Sequence, residues 1–372
     1  MGPTTRVTET EAIDALMTRF AREGYARVEP PVLQPADVFV DLSGEDIRRR
    51  MFVTQDVSGT ELCLRPEYTI PVCLQHLTER GSVPAAYSYG GPVFRLRTGE
   101  RGEFLQAGIE SIGRSDSTAA DAEILALALD GLESVGLADV QVRLGDMGLL
   151  NALVDALGIV PAAKRRVIRA IVSGQGLASL AEAEAPTDYA GLLAAIEGQA
   201  PQAAKAFVGD ILSIAGIARV GGRSAGEIAE RFLARAANRS GLVGEAREVL
   251  NRYLRIAGDP DESADAARAL ARDAGLDLSS ALDAFEERTG FMAARGLDVG
   301  GFQFAATFAR NLDYYTGYIF EIHDPARADW KPVVGGGRYD RLLQHLGAAD
   351  PVPAVGCSFW LDRIAAGGLS DG

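Results

Sequence analysis

Four segments place ionisable and hydrogen-bonding side chains inside strand-like sequence, where an ordinary core would favour apolar residues, so each such group needs a partner once it is buried. The first is Leu64-Arg65-Pro66-Glu67-Tyr68-Thr69. It puts Glu67 at a strand end, beside a proline and ahead of a helix. A carboxylate there would serve a ligand or stabilise the helix dipole. The second runs from Gly91-Pro92-Val93-Phe94-Arg95-Leu96-Arg97 through a short turn to Phe104-Leu105-Gln106-Ala107-Gly108-Ile109-Glu110. Strand alternation sets Gln106, Gly108 and Glu110 on one face, with Gly108 leaving open space between two polar side chains. Such a face would receive a small cationic ligand, or it would be the solvent side of an edge strand.

The third segment is Ala309-Arg310-Asn311-Leu312-Asp313-Tyr314-Tyr315-Thr316-Gly317, which leads into Tyr318-Ile319-Phe320-Glu321. The fourth joins Gly335-Gly336-Gly337-Arg338-Tyr339-Asp340 to the stretch from Ala354 to Arg363. Three consecutive glycines permit the backbone to approach a ligand or another strand closely. They are not a phosphate-cradling loop, because no GxxxxGK[ST] spacing occurs.

The elements that must hold these segments can be read from periodicity. Thr8 and Glu11 form a capping box ahead of Ile13, Leu16, Met17 and Phe20 on one helical face, with Gly24 as the stop, so a helix is expected over 9–23. Short β-rich runs follow at 27–31, 51–55, 61–65, 85–89, 92–97 and 104–112, interrupted by helical stretches at 67–80 and 117–135. The two classes alternate too irregularly for a doubly wound parallel sheet. From 161 to 295 the texture becomes alanine-rich, charged and helix-periodic, as in GEIAERFLARAANR and GEAREVLNRYLRIAG. Strand-like runs return at 301–307, 317–323 and 353–359. The expected fold class is therefore α+β, an antiparallel sheet flanked by helices. Its core comprises residues 1–160 and 296–372, and 161–295 form a predominantly helical insertion.

Bulk properties narrow the function. A chain of 372 residues with 47% hydrophobic and 24% charged residues has the composition of a folded soluble protein. No apolar run approaches the roughly 20 residues that span a bilayer, and the N-terminus has no apolar secretion core, so a cytoplasmic location without membrane contact is expected. A net charge of −14 disfavours nucleic acid as a partner. Cys63, Cys73 and Cys357 sit in apolar segments and not in a C-x-x-C pair, which argues against disulfides and zinc alike. His76, His323 and His345 are scattered, and neither a metal nor a cofactor is expected.

The order LRPE, GPVFR, QAGIE, RNLDYYTG, GGGRYD and AVG…LDR closely resembles the catalytic core of histidyl-tRNA synthetase, a class II aminoacyl-tRNA synthetase. GYARVEPPVLQ, with Pro30 and Pro31, resembles that family's dimer-forming first motif. The resemblance covers roughly 10–145 and 300–366 and implies a class II synthetase-like fold with a histidine pocket. By that resemblance, Glu67, Thr69 and Gln106 hold the α-ammonium side, while Glu110 and Tyr315 face the imidazole. Arg310 lies near the carboxylate, Tyr339 forms a wall, and Tyr314 belongs to the same pocket. Arg95 and Arg363 match two ATP-contacting arginines.

Two departures set the chain apart from the synthetases. Trp360 stands where the last motif, reading like GFAxGLER, has its second glycine, so an indole would occupy space beside the nucleotide. The turn from Thr98 to Glu103 is shorter than the family's loop and more acidic near its end. Nine residues follow Arg363, where a complete synthetase would continue into an anticodon-binding domain. The sequence thus resembles the regulatory subunits of ATP phosphoribosyltransferase, synthetase paralogues of bacterial histidine biosynthesis. That likeness implies a non-catalytic subunit, a homodimer within a hetero-oligomer, which activates the short catalytic subunit and confers histidine feedback without tRNA. Arg95 and Arg363 would then be ATP-site remnants. Two other readings are a stand-alone ligase adenylating histidine or a similar amino acid, and a synthetase fragment whose anticodon domain is a separate polypeptide.

Overall fold

The computed structural model describes residues 8–42, 47, 49–159, 161–177, 219–220, 223–224, 244–310 and 314–365. The chain divides into two compact units, one formed by Met1–Ala152 with Tyr253–Gly372 and the other by Leu153–Arg252. In chain order the first unit holds α1 (Glu9–Arg22), β1 (Ala26–Arg27), β2 (Leu33–Pro35), α2 (Asp37–Leu42), β3 (Val53–Gln55), β4 (Glu61–Leu64), α3 (Thr69–Thr78), β5 (Ala85–Phe94), β6 (Glu103–Ile112), α4 (Ser117–Ser134) and β7 (Gln141–Asp146). The division between the units falls within α5 (Met147–Ala156). Described elements of the second unit are α6 (Pro161–Val172), the short antiparallel pair β8 (Arg219–Val220) and β9 (Arg223–Ser224), and α7 (Gly244–Leu254), which runs to its boundary. The first unit resumes with β10 (Ala257–Gly258), α8 (Pro260–Asp273), α9 (Ser279–Ala294), β11 (Gln303–Ala305), β12 (Tyr318–His323), β13 (Pro332–Arg338), α10 (Leu342–His345), β14 (Ala354–Trp360) and α11 (Leu361–Ala365).

Nine strands form the main sheet in the order β1-β5-β6-β14-β13-β12-β7-β11-β10. Its ladders are antiparallel except for β1 with β5 and β11 with β7. The returning segments at the end of the chain therefore complete the sheet that the first segments begin, as expected. The capping box at Thr8 and Glu11 starts α1, whose Ala12, Leu16, Met17 and Phe20 are buried. This helix packs against β5, β6 and α4. A second, three-stranded sheet in the order β2-β4-β3 carries Cys63 into a core with Phe39, Ile70, Tyr314 and Tyr339.

Several expected boundaries shift for physical reasons. The runs at 85–89 and 92–97 form one strand, β5, which continues through Gly90, Gly91 and Pro92. Among the described residues, no strand pairs with its outer side beyond Ser88. The Pro92 carbonyl takes Arg65 Nε there at 2.9 Å, on the side that its missing N–H would face, so proline costs the sheet no ladder bond. The strand β7, unexpected from the sequence, pairs antiparallel with β12 along its whole length.

The insertion expected over 161–295 extends further along the chain than the compact unit Leu153–Arg252. Residues from Tyr253 onward belong to the first unit, where α8 packs on α9 and α9 on α4, while β10 extends the main sheet. α8 buries Ala264, Ala267, Leu270 and Ala271 on one face and satisfies the same helix-periodic pattern as the insertion, so periodicity alone could not separate it. GEIAERFLARAANR lies outside the described residues.

Beneath the sheet ends sits a buried ion-pair network. Arg288 donates to Asp121 and Asp146, each at 2.8 Å, and Arg338 donates to Asp121 at 2.9 Å and Asp340 at 2.8 Å. Asp340 in turn receives the Ala354 amide, and its own amide bonds to Thr316 Oγ1. The network thereby ties α9 and α4 to the loop that carries Tyr314 and Tyr315. Among the described residues, no helix is long and apolar enough to cross a membrane.

Candidate functional site

A cavity of about 250 Å³ opens over the centre of the main sheet. Seven of the eight residues expected around a ligand line it: Glu67, Thr69, Gln106, Arg310, Tyr314, Tyr315 and Tyr339. They come from the start of α3, from β6, from the loop before β12 and from the end of β13, so the sheet gathers segments up to 272 positions apart. Asn311, Leu312 and Asp313 of the same loop lie outside the described residues.

Glu110, the eighth, lies under the cavity floor instead of in its lining. Its Oε1 accepts from Thr69 Oγ1 at 2.8 Å and from the Tyr89 hydroxyl at 3.2 Å, and its Oε2 accepts from the Tyr339 hydroxyl. Full burial pushes this carboxyl up to about 8, against the three hydroxyl donors that favour its charged form. It crosses Gly356 so closely that a Cβ there would lie 1.6 Å from Oε2. The space expected at Gly108 is not open: a Cβ at that position would meet the Tyr89 phenol oxygen at 2.3 Å. The strand face read as a receptor for a cation is thus filled by a tyrosine from the neighbouring strand.

Glu67 lines the cavity and also serves the start of the helix. Its carboxylate accepts the Thr69 amide at 2.6 Å and the Ile70 amide at 2.8 Å, closing the first turn of α3. Burial raises its pKa, and the two amides oppose that rise. Arg95, half-buried, also lines the cavity, and its Nε donates to the Pro66 carbonyl at 2.6 Å.

Arg310 lies flat over Gly335, the first glycine of the triplet. Its Nη1 reaches the Phe320 carbonyl at 3.3 Å and Glu321 Oε1 at 3.5 Å. The triplet therefore admits a side chain of this same chain at Gly335. At Gly336 it admits a strand neighbour, because a Cβ there would sit 2.4 Å from the Gly356 carbonyl.

Arg363 does not line the cavity. Its Nη1 donates to the Pro332 carbonyl at 2.5 Å and its guanidinium lies 4.5 Å from the centre of the Trp360 ring. Burial pulls it down to about 10, with Asp362 opposing and Arg95, Arg97 and Arg327 adding to the fall. Trp360 does line the cavity, with Arg310 5.6 Å from its ring. The indole thus lies between Arg310 and Arg363, the second of which the resemblance connects with ATP.

Glu321 and Ser358, also in the lining, were not singled out from the sequence. The available signal for Glu321 was an acid inside Tyr318–His323, a central strand covered on both faces.

A family model for histidyl-tRNA synthetase matches residues 1–209 and 227–364. A curated protein from Mesorhizobium japonicum, an ATP phosphoribosyltransferase regulatory subunit, is 41% identical over 95% of this chain and 97% of its own length. A protein of the same description from Brucella anthropi is 40% identical over 91% of this chain and 92% of its own. Among solved structures, an ATP phosphoribosyltransferase regulatory subunit/histidyl-tRNA synthetase from Bacillus halodurans C superposes with a TM-score of 0.68 at 22% identity, covering 96% of this chain and 78% of that one. Histidyl-tRNA synthetase from Nostoc sp. PCC 7120 superposes with a TM-score of 0.65 at 18% identity, covering 96% and 70% respectively. The fold is that of a class II synthetase core.

Proposed function

The chain belongs to the histidyl-tRNA synthetase family, within the group of ATP phosphoribosyltransferase regulatory subunits, and from that premise we propose that it is a non-catalytic subunit acting in histidine biosynthesis. It activates the short catalytic ATP phosphoribosyltransferase and makes that enzyme responsive to histidine. The cavity over the sheet is the sensing site, with Glu67, Thr69, Gln106, Arg310, Tyr314, Tyr315 and Tyr339 around the amino acid and Glu110 bracing two of them from below. Regulation requires that histidine bind one state of the assembly better than another, since equal affinity shifts nothing. The assembly contains this chain as a homodimer.

The observation that carries this reading is Trp360. Its indole lines the cavity and lies within 6 Å of both Arg310 and Arg363 by ring-centre distance, at 5.6 and 4.5 Å. A nucleotide would need the space that the ring takes, while a free amino acid fits a cavity of about 250 Å³.

The retained Arg95 and Arg310 in the lining favour one other reading, an amino-acid-adenylating ligase. Calorimetry with L-histidine, paired with a histidine-dependent ATP–pyrophosphate exchange assay, separates the two. Sensing predicts histidine binding with no exchange. Exchange above background establishes the ligase, and absence of histidine binding overturns the sensing pocket.

A further inference from the structure

From the cavity, the end of β12 leads outward to a surface tryptophan. Arg310 and Glu321 line the cavity, whereas His323 and Trp330 do not. Strand alternation puts Glu321 and His323 on one face of β12. The register with β13 shifts between Ile322 and His323, an irregularity of the kind that re-aims a side chain. Glu321 faces both ways. Its Oε1 lies 3.5 Å from Arg310 Nη1 and its Oε2 lies 3.4 Å from His323 Nε2. Both distances exceed the ~2.8 Å of a formed charge-assisted hydrogen bond, so neither neighbour holds the carboxylate firmly.

His323 in turn holds Trp330. The two rings stack with centroids 4.9 Å apart and planes 16° from parallel, and His323 Nδ1 meets the Trp330 carbonyl at 3.1 Å. A carbonyl only accepts, so Nδ1 carries the N–H in this arrangement. Nε2 is then a buried nitrogen with no hydrogen-bond partner among the described residues, turned to a carboxylate that it does not reach. A neutral imidazole has one N–H, and here two acceptors, the Trp330 carbonyl and Glu321, compete for it. Trp330 itself is 43% exposed and has a φ of +49°, a left-handed conformation that residues with side chains enter at a cost. The hairpin is anchored on either side of it. Arg327 Nη1 donates to the Arg363 carbonyl at 2.6 Å, and Lys331 Nζ donates to Glu100 at 2.7 Å. The freedom of this tip therefore lies in the indole.

We propose that His323 and Trp330 form a relay that reports the state of the cavity at the protein surface, with Glu321 as the shared lever. In the empty protein Arg310 stands by Glu321, and the His323 N–H goes to the Trp330 carbonyl. When a ligand anion draws Arg310 away, Glu321 takes the N–H instead. The ring proton passes from Nδ1 to Nε2 with no change in the charge of the ring. Nδ1 then turns a lone pair to the Trp330 carbonyl, which loosens the tip and moves the indole. Occupancy thereby alters a surface that a second protein can read, which a sensor requires. The relay rests on the histidine reading of the cavity for its input and adds an output to it.

The test is nuclear magnetic resonance of the full chain at pH 8.5, carrying 15N-labelled histidine and 5-fluorotryptophan, titrated with unlabelled L-histidine. Three histidines and two tryptophans give few signals, and H323F and W330F assign them. In wild type the His323 N–H is expected on Nδ1 without ligand and on Nε2 at saturation, and the Trp330 fluorine resonance should shift with the same dependence. H323F keeps an aromatic ring but has no N–H to exchange. It should still bind histidine, seen as a shift of Trp360 in the cavity lining, while Trp330 no longer follows. H323Q takes its place if H323F does not fold, with the same readings. Histidine binding that leaves the His323 tautomer or the Trp330 resonance unchanged in wild type would overturn the relay alone. So would a Trp330 shift that persists in the variant, or a variant that has lost histidine binding, since His323 would then support the cavity itself. Failure of wild type to bind histidine by calorimetry would overturn the sensing site and the relay together.

Discussion

The guanidinium of Arg310 occupies the place where any other residue at 335 would carry its side chain, since a Cβ built on Gly335 would lie 1.5 Å from Arg310 Nη1. The glycine triplet is thus tied to the cavity-lining arginine by simple exclusion. In G335A the atom that must move is the far end of a flexible side chain, so stability should change by less than about 1 kcal/mol. The displaced arginine should nevertheless lower histidine affinity by about tenfold. Chemical denaturation and calorimetry on the same protein check the two halves of this prediction.

Gly356 provides the contrast. A Cβ there would meet not only Glu110 Oε2 but also the Ile109 carbonyl at 2.5 Å, and backbone in the centre of a sheet cannot step aside. G356A is expected to lose about 1–3 kcal/mol of stability or more, in the manner of an overpacked core. A denaturation midpoint equal to that of G335A would contradict the distinction drawn between a movable and a fixed neighbour.

The buried carboxyl of Glu110 makes a prediction about pH. Its ordinary value of 4.5 applies to the unfolded chain and about 8 to the folded one. Between those values the native state holds a proton that the unfolded state has released. The stability due to this group is therefore complete below about 4.5 and declines as pH rises towards about 8. E110Q removes the titration while keeping a polar group of similar size. Its unfolding free energy, measured in urea at pH 5 and at pH 8.5, should fall less over that interval than that of wild type. An identical fall would show that Glu110 is not the responsible carboxyl.

Arg288 pairs with Asp121 and Asp146 away from solvent, and Asp121 also serves Arg338. R288A leaves buried carboxylates short of a partner and should cost about 3–5 kcal/mol. Because the Arg338 carbonyl and the Asp340 amide both bond Thr316, two positions from Tyr314, the loss should also loosen the pocket loop. The two effects are read separately by denaturation and by histidine affinity under conditions where the variant remains folded.

Much of this site was legible before the fold was known, and the residues show why. Glu67, Gln106, Arg310 and Tyr339 stood out as polar groups in segments otherwise fit for burial, and the order of their motifs carried a family resemblance. Their convergence on one cavity follows from the sheet order, in which the last strand, β14, enters between β6 and β13. The role of Glu110 as a floor brace was hidden because Tyr89, one strand away, supplies the ring that fills the gap at Gly108. Only cross-strand register reveals that contact. Trp360 stood out because an indole replaces an expected glycine, and it lines the cavity. Glu321 was not, since a single acid in a strand has no pattern until Arg310 and His323 are found beside it. The expected insertion ran on to 295 because α8 repeats an apolar face at helical period, and sequence period reports such a face without naming what it packs against.

The central claim is that this synthetase-like core senses histidine on behalf of another enzyme. The most direct measurement is the rate of a separately purified short-form ATP phosphoribosyltransferase, with and without this protein, across a histidine titration. The account predicts strong activation on addition of this chain and a histidine-dependent loss of that activation. A catalytic subunit whose rate is the same with and without the protein, at every histidine concentration, would contradict it.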